Sequence, residues 1–81
     1  LDARLNLGAA YLATERYADA ESVYTLLVQQ NPEDAEAHYN LGWALFSQDR
    51  TDEAEAAWAS ASELGYEPAQ TALAEYTDAA E

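Results

Sequence analysis

The 81-residue sequence lacks cysteine and lysine altogether, and it has only three arginines. Without cysteine, the chain can form neither a disulfide nor a zinc site with thiolate ligands. The three arginines stand against sixteen aspartate and glutamate residues, so the formal net charge is −13. A negative charge of this size repels phosphate groups. The composition therefore points away from nucleic acid and anionic membrane surfaces as partners.

Long hydrophobic runs are also absent. The longest apolar stretch has seven residues, 7–13, far fewer than the roughly 20 needed to span a bilayer. No basic segment followed by an apolar one marks a signal peptide. These features favour a cytoplasmic location without membrane insertion. Because the chain begins at Leu1 and not at methionine, we expect it to be part of a longer protein that carries any localisation signal.

The residues that are present favour helices. Nineteen alanines stand against three glycines and two prolines, and 49% of the residues are hydrophobic. Alanine has the highest intrinsic helix propensity, whereas glycine and proline interrupt helices. A chain of this length is enough for one small domain and too short for two. We therefore expect a single helical domain.

The sequence contains an internal repeat. The most similar segment reads Asn-Leu-Gly-x-Ala, at residues 6–10 and again at residues 40–44. The fixed period between the copies is typical of proteins built from stacked helical hairpins. The identical pairs number nine: Ala3/Ala37, Asn6/Asn40, Leu7/Leu41, Gly8/Gly42, Ala10/Ala44, Arg16/Arg50, Ala20/Ala54, Glu21/Glu55 and Glu33/Glu67.

Apolar residues recur at helical spacing twice within each repeat and once more after the second. The sequence therefore predicts an all-α fold of antiparallel helix-turn-helix repeats with about five helices. Repeat one spans 1–34, repeat two spans 35–68, and a capping helix spans 69–81. Pro32 suits the first turn of the third helix and Thr51 the N-cap of the fourth. Gly65 is expected to end the fourth helix, and Pro68 to open the fifth.

This pattern resembles the tetratricopeptide repeat family. The first copy matches the family motif at Leu7, Gly8, Tyr11, Ala20, Tyr24 and Pro32, and the second at Leu41, Gly42, Leu45, Ala54, Trp58 and Ala61. Small residues at the helix crossing let two backbones approach closely, and Trp58 is expected in the core. The sequence departs from the motif at Arg4 and His38, where an aromatic residue is usual, and also at Leu27 and Tyr66.

The resemblance implies a protein–protein interaction scaffold whose first helices line a concave groove. Asparagine can hydrogen-bond a peptide backbone, and aromatic side chains supply contact area. Two alternatives remain open. The aromatic residues of the third helix pack it against helices one and five, or they are buried between chains in a self-assembly module. The predicted peptide-binding residues are Leu5, Asn6, Ala9, Leu12, Tyr39, Asn40, Trp43 and Phe46.

The charge of the chain bears on the partner. Family members that grip C-terminal carboxylates use groove lysines and arginines, whereas the matching positions here hold Leu5, Ala9 and Asn40. A basic or apolar peptide is therefore a better fit than an acidic one. The sixteen acidic residues have two interpretations. They steer a basic partner, or they adapt the protein to high salt, where their repulsion is screened.

Catalysis, metal binding and cofactor binding find no support in the sequence. His38 is the single histidine and falls in the apolar stripe of the third helix, so we expect a packing role. Acidic pairs such as Asp52 and Glu53 lie at helix starts, where the positive end of the helix dipole stabilises carboxylates. No calcium-binding loop, glycine-rich phosphate loop or nucleophile–base pair is recognisable. The sequence predicts a protein that is not an enzyme.

Overall fold

The computed structural model describes the backbone of residues 3–76 and the side chains of residues 7–76. This part of the chain contains no strand, which confirms the all-α prediction. Its five helices are α1 (Ala3–Ala13), α2 (Tyr17–Gln30), α3 (Ala35–Phe46), α4 (Thr51–Glu63) and α5 (Glu67–Tyr76).

Three of the turns are built alike. Glu15, Asp49 and Gly65 each adopt a positive φ, of 63°, 64° and 89°, which is the left-handed conformation that ends many helices. The amide that follows each of them donates to a carbonyl five residues earlier in the chain, at 2.8 to 3.1 Å. Glu15 and Asp49 occupy equivalent positions in the two copies, so the sequence repeat is also a repeat of backbone conformation. Gly65 ends α4 as predicted.

The helix starts differ from the prediction at two places. Arg50, not Thr51, is the N-cap of α4, and its guanidinium bonds Glu53 at 2.8 and 2.7 Å in the first turn. Pro32 lies in the turn before α3, where Asp34 is the N-cap and its Oδ1 accepts from the Ala37 amide at 3.1 Å. A carboxylate pairs with a free helix amide, whereas a proline only removes one such amide.

Helix α5 begins earlier in the chain than the predicted capping helix. It starts at Glu67, so Pro68 is in its first turn, as expected for an opening proline. Its last described residue is Tyr76, and residues 77–81 of the predicted capping helix lie outside the described part of the chain.

Each helix packs mainly against its neighbours in the sequence. Short connections make these neighbours antiparallel, so α1, α3 and α5 form one layer and α2 and α4 the other. The pair α3–α4 is the most extensive, while α1 and α3 touch lightly. The core between the layers is rich in alanine, and its largest fully buried side chains are those of Tyr24, Leu27 and Trp58. Trp58 is therefore a core residue, as predicted.

An ion pair and a hydrogen bond tie the two repeats together. Glu21 on α2 accepts from Arg50 Nη1 at 2.7 Å and from Gln48 Nε2 at 3.1 Å, and both of these residues follow α3. All three side chains are partly exposed, so this contact orients the repeats more than it stabilises them.

The two motif glycines face aromatic rings. A Cβ atom on Gly8 would lie 2.6 Å from Cζ of Tyr24, and one on Gly42 would overlap the indole of Trp58 at Nε1 and Cδ1. The close backbone approach expected at these glycines stays a prediction, since the atoms nearest to them belong to the two rings. Each glycine leaves room for a large side chain from the second helix of its own repeat, which is how a fully buried ring fits into a narrow helix pair.

Candidate functional site

One face of α3 stays partly open to solvent. The buried residues of this helix face α2 and α4, whereas Tyr39, Asn40, Trp43 and Phe46 are half-buried. Their spacing of three and four residues places them along one stripe. The four α3 residues predicted to bind a peptide therefore lie on one continuous surface, which we call the α3 face.

The aromatic residues of the α3 face contact each other and the core. Trp43 lies 6.1 Å from Tyr39 and 5.9 Å from Phe46 between ring centroids, in both cases edge to face. It also lies 5.0 Å from the buried Trp58. Edge-to-face pairs at these distances contribute beyond the area they bury. The central ring of the α3 face thus rests on the largest core side chain.

Two tyrosines beyond α3 complete the aromatic cluster. Tyr66, before α5, lies 5.2 Å from Tyr39. Tyr76, at the end of α5, lies 5.1 Å from Trp43 and 5.7 Å from Phe46 and is 47% exposed. Sequence reasoning missed both residues, because their contact with α3 depends on where α5 crosses the layer. The helical spacing of Tyr76 within α5 was the available signal.

These contacts bear on the first alternative to groove binding. The tyrosines next to and within α5 pack on the α3 aromatic residues, as expected if those residues help to hold the fifth helix in place. The same α3 residues keep part of their surface exposed. Packing and an accessible surface therefore coexist in the α3 face.

The α1 side of the predicted surface is only partly described. Ala9 is exposed, and Leu12 is half-buried against the core cluster around Tyr24. The side chains of Leu5 and Asn6 lie outside the described residues. Of the eight predicted binding residues, six are therefore placed, and Ala9 and Leu12 lie on α1, the helix beside α3 in the same layer.

The electrostatic environment of the α3 face is acidic. Burial raises the pKa of Tyr66, and the nearby Glu36 carboxylate raises it further. Glu36 is exposed and precedes Tyr39 by one turn. Among the side chains of residues 7–76, every ion pair involves Arg16 or Arg50, and both lie in the turns at the other end of the first helices. The α3 face thus carries negative charge that these arginines do not offset.

The single histidine does not lie in the core. His38 is half-buried, and its Nε2 lies 2.9 Å from the carbonyl oxygen of Pro32. Since a carbonyl only accepts, Nε2 carries the proton in this contact. The expected packing role is therefore joined by a bond that fixes the turn before α3.

The described part of the chain offers neither a metal site nor a membrane span. Residues 3–76 hold no group of three or more histidine, cysteine, aspartate or glutamate side chains that could bind a metal ion. None of the helices in that range is long and apolar enough to cross a membrane.

Comparison with protein families agrees with this architecture. A family model described as tetratricopeptide repeat matches residues 5–68, more than three quarters of the chain. The chain belongs to the tetratricopeptide repeat family. Searches of curated proteins and of solved structures found no match. Tetratricopeptide repeats generally mediate protein–protein interaction, and the family is one of non-catalytic scaffolds.

Proposed function

We propose that this tetratricopeptide repeat chain is a scaffold that binds a peptide segment of a partner protein along the layer of α1 and α3. The observation that carries the proposal is the half-buried aromatic stripe of the α3 face, anchored on Trp58 through Trp43 at 5.0 Å. Rigid aromatic side chains that remain accessible are the usual anchors of protein interfaces. The binding residues are those predicted: Leu5, Asn6, Ala9, Leu12, Tyr39, Asn40, Trp43 and Phe46.

The partner segment is basic or apolar. A net charge of −13 and the exposed Glu36 beside the stripe favour cationic groups and repel acidic ones. Asn40 provides both a donor and acceptors for a peptide backbone, whatever its sequence. The chain acts without catalysis and without a cofactor, because its role is to hold a partner.

The alternative is self-assembly, in which the aromatic stripe is buried between two copies of the chain. The observation that favours it is Tyr76, which is 47% exposed although it adjoins Trp43 and Phe46. Tyr76 and the α3 aromatic residues that it adjoins form an apolar surface, which suits either a partner or a contact between copies.

The test uses a displayed library of random nonapeptides and two variants. Trp43→Ala removes the centre of the α3 face, and Leu26→Ala removes an accessible leucine, 43% exposed, from α2 in the other layer. We expect peptides selected on the wild type to lose roughly tenfold or more in affinity with Trp43→Ala and to bind Leu26→Ala unchanged, since interface anchors cost this much when truncated.

Light scattering at several protein concentrations separates the two functions. A monomer that selects peptides supports the scaffold. A stable dimer that dissociates with Trp43→Ala and selects no peptide supports self-assembly and contradicts peptide binding.

A further inference from the structure

The first repeat shows how this chain holds an arginine side chain. The guanidinium carbon of Arg16, in the turn after α1, lies 4.8 Å from the centre of the Tyr11 ring. Its Nε donates to Oδ2 of Asp19 at 2.9 Å, and its Nη2 lies 2.8 Å from the same oxygen. A guanidinium can lie over a ring and pair with a carboxylate at once, because the first contact uses its face and the second its edge.

The second repeat has tyrosine rings and a carboxylate that lie close together in the same way. Tyr39 on α3 and Tyr66 before α5 have ring centroids 5.2 Å apart, with the ring planes tilted by 57°. Glu36 precedes Tyr39 by three residues on α3, so the two side chains are neighbours on the helix surface. Glu36 is exposed, and both tyrosines are only half-buried. A partner can therefore reach all three side chains.

The charge around these tyrosines is negative. Glu67, directly after Tyr66, is exposed, as is Glu36. Burial raises the pKa of Tyr66, and the Glu36 carboxylate raises it further, in agreement with the position of Glu36 next to Tyr39. The arginines whose side chains are described, Arg16 and Arg50, form ion pairs with other carboxylates. Neither of them offsets the charge of Glu36.

An accessible pair of rings beside a carboxylate is complementary to a cation with a flat face. The face of an aromatic ring carries partial negative charge and attracts cations, and the carboxylate attracts them as well. A guanidinium suits this surface better than an ammonium, because it is planar, stacks on ring faces and is more weakly hydrated. The surface therefore favours arginine over lysine.

We propose that Tyr39, Tyr66 and Glu36 form a binding site for an arginine side chain of the partner peptide, which we call the arginine site. The guanidinium stacks on the tyrosine rings and donates to the Glu36 carboxylate, as the arginine of the first repeat does with its own tyrosine and aspartate. The methylene stem of the arginine lies along the apolar stripe toward Trp43, whose ring centroid is 6.1 Å from that of Tyr39. The arginine site rests on the proposed peptide-binding function and specifies its chemistry.

The experiment uses three pools of nonapeptides, acetylated and amidated at their ends, that differ only in the central residue. That residue is arginine, lysine or citrulline, and the other positions are random without arginine or lysine. Citrulline keeps the planar shape of arginine without its charge. We expect the wild type to bind the arginine pool roughly fivefold more tightly than the citrulline pool and roughly threefold more tightly than the lysine pool, as expected for a cation on accessible rings beside an exposed carboxylate.

Variants at the arginine site should change the two preferences differently. Glu36→Gln removes the negative charge and should reduce the preference for arginine over citrulline to about twofold. Tyr66→Leu and Tyr39→Leu keep an apolar side chain but remove a ring. Each of them should abolish the preference for arginine over lysine, because that preference depends on stacking of the planar guanidinium.

Matched variants outside the arginine site separate it from general charge attraction and from misfolding. Asp52→Asn removes an exposed carboxylate from the first turn of α4, and Tyr17→Leu removes a half-buried tyrosine from the start of α2. Both should keep the two preferences of the wild type. Thermal melting followed by circular dichroism reports whether each variant folds. Should Tyr66→Leu and Tyr39→Leu both fail to fold, Glu36→Gln decides alone, since its side chain is exposed.

Two results would overturn the arginine site while leaving groove binding intact. One is equal binding of the three pools that still depends on Trp43. The other is an unchanged preference for arginine in Glu36→Gln and in the folded tyrosine variants. If the wild type binds none of the three pools, the proposed function itself fails, and the arginine site fails with it.

Discussion

Adding one methyl group at Gly42 is the sharpest test of how the repeat packs. The Cβ of alanine at this position would overlap Nε1 and Cδ1 of Trp58. Trp58 is fully buried and touches Trp43 and Phe46 at centroid distances of 5.0 and 5.5 Å. The indole therefore has no free space into which it can retreat, and the clash must be relieved by moving α3 away from α4.

The expected cost combines three effects. Overpacking a filled core costs about 2 kcal/mol, and the loss of the Trp58–Tyr39 hydrogen bond costs about 1.5 kcal/mol. Replacing glycine by alanine within a helix stabilises the helix by about 1 kcal/mol, which offsets part of this loss. The net loss is about 2.5 kcal/mol, a large part of the roughly 4–12 kcal/mol expected for a domain of this size. It corresponds to a drop in Tm of roughly 10–20 °C.

Urea denaturation followed by far-UV circular dichroism measures this loss. The matched control is Gly42→Ala in a Trp58→Leu background, in which the ring that causes the clash is gone, so the added methyl should cost far less than in the wild type. Equal costs in the two backgrounds, or a more stable Gly42→Ala protein, would refute the packing of Trp58 on Gly42.

Three further predictions concern charge. The Arg50 guanidinium holds the pKa of Glu53 low, so the contribution of this carboxylate to stability is present at neutral pH and is lost as the pH falls through its folded pKa. Glu53→Gln should therefore destabilise the protein at pH 7 and leave its stability unchanged in acid. An equal effect at both pH values would contradict this. Burial raises the pKa of Tyr24 to about 12, above the value near 10 of the unfolded chain. The contribution of this group to stability is therefore present below pH 10 and lost between about pH 10 and 12. In denaturation measured against pH, Tyr24→Phe should lose less stability over that interval than the wild type. If the net charge of −13 reflects adaptation to high salt, Tm should rise between low and about 1 M KCl as repulsion is screened, and an unchanged Tm would reject that adaptation.

The repeat period made most of the fold predictable. Gly8 and Gly42 are counterparts in the two copies, as are Tyr24 and Trp58, and the structure pairs each glycine with the aromatic residue of its own repeat. This pairing was not predicted, because helical spacing shows which residues share a face and not what lies opposite them. Arg50 was missed as the N-cap of α4 for a related reason. Its bonds to Glu53 fall outside the usual capping preferences.

The candidate site was predictable along α3 and not across helices. The spacing of Tyr39, Trp43 and Phe46 placed them on one stripe. The contacts of Tyr66 and Tyr76 with that stripe depend on the path of the chain after Gly65, which the sequence does not specify. Long-range contacts of this kind need the angle between helices, and that angle depends on the packing of many side chains together.

The surface and the core of this chain are physically continuous, and this affects how binding can be measured. The Trp58 indole rests on Gly42, bonds the backbone of Tyr39 and touches Trp43. A peptide bound to the α3 face as proposed would therefore contact side chains that rest on the largest core side chain. A peptide that binds only the folded chain raises its stability by an amount set by its concentration relative to Kd. We therefore expect truncation at Trp43 to lower affinity and stability together, and substitution at the exposed Glu36 to change recognition without disturbing the core. The affinity of the Trp43→Ala variant must therefore be read together with its stability, whereas for a substitution at Glu36 the affinity alone reports on recognition.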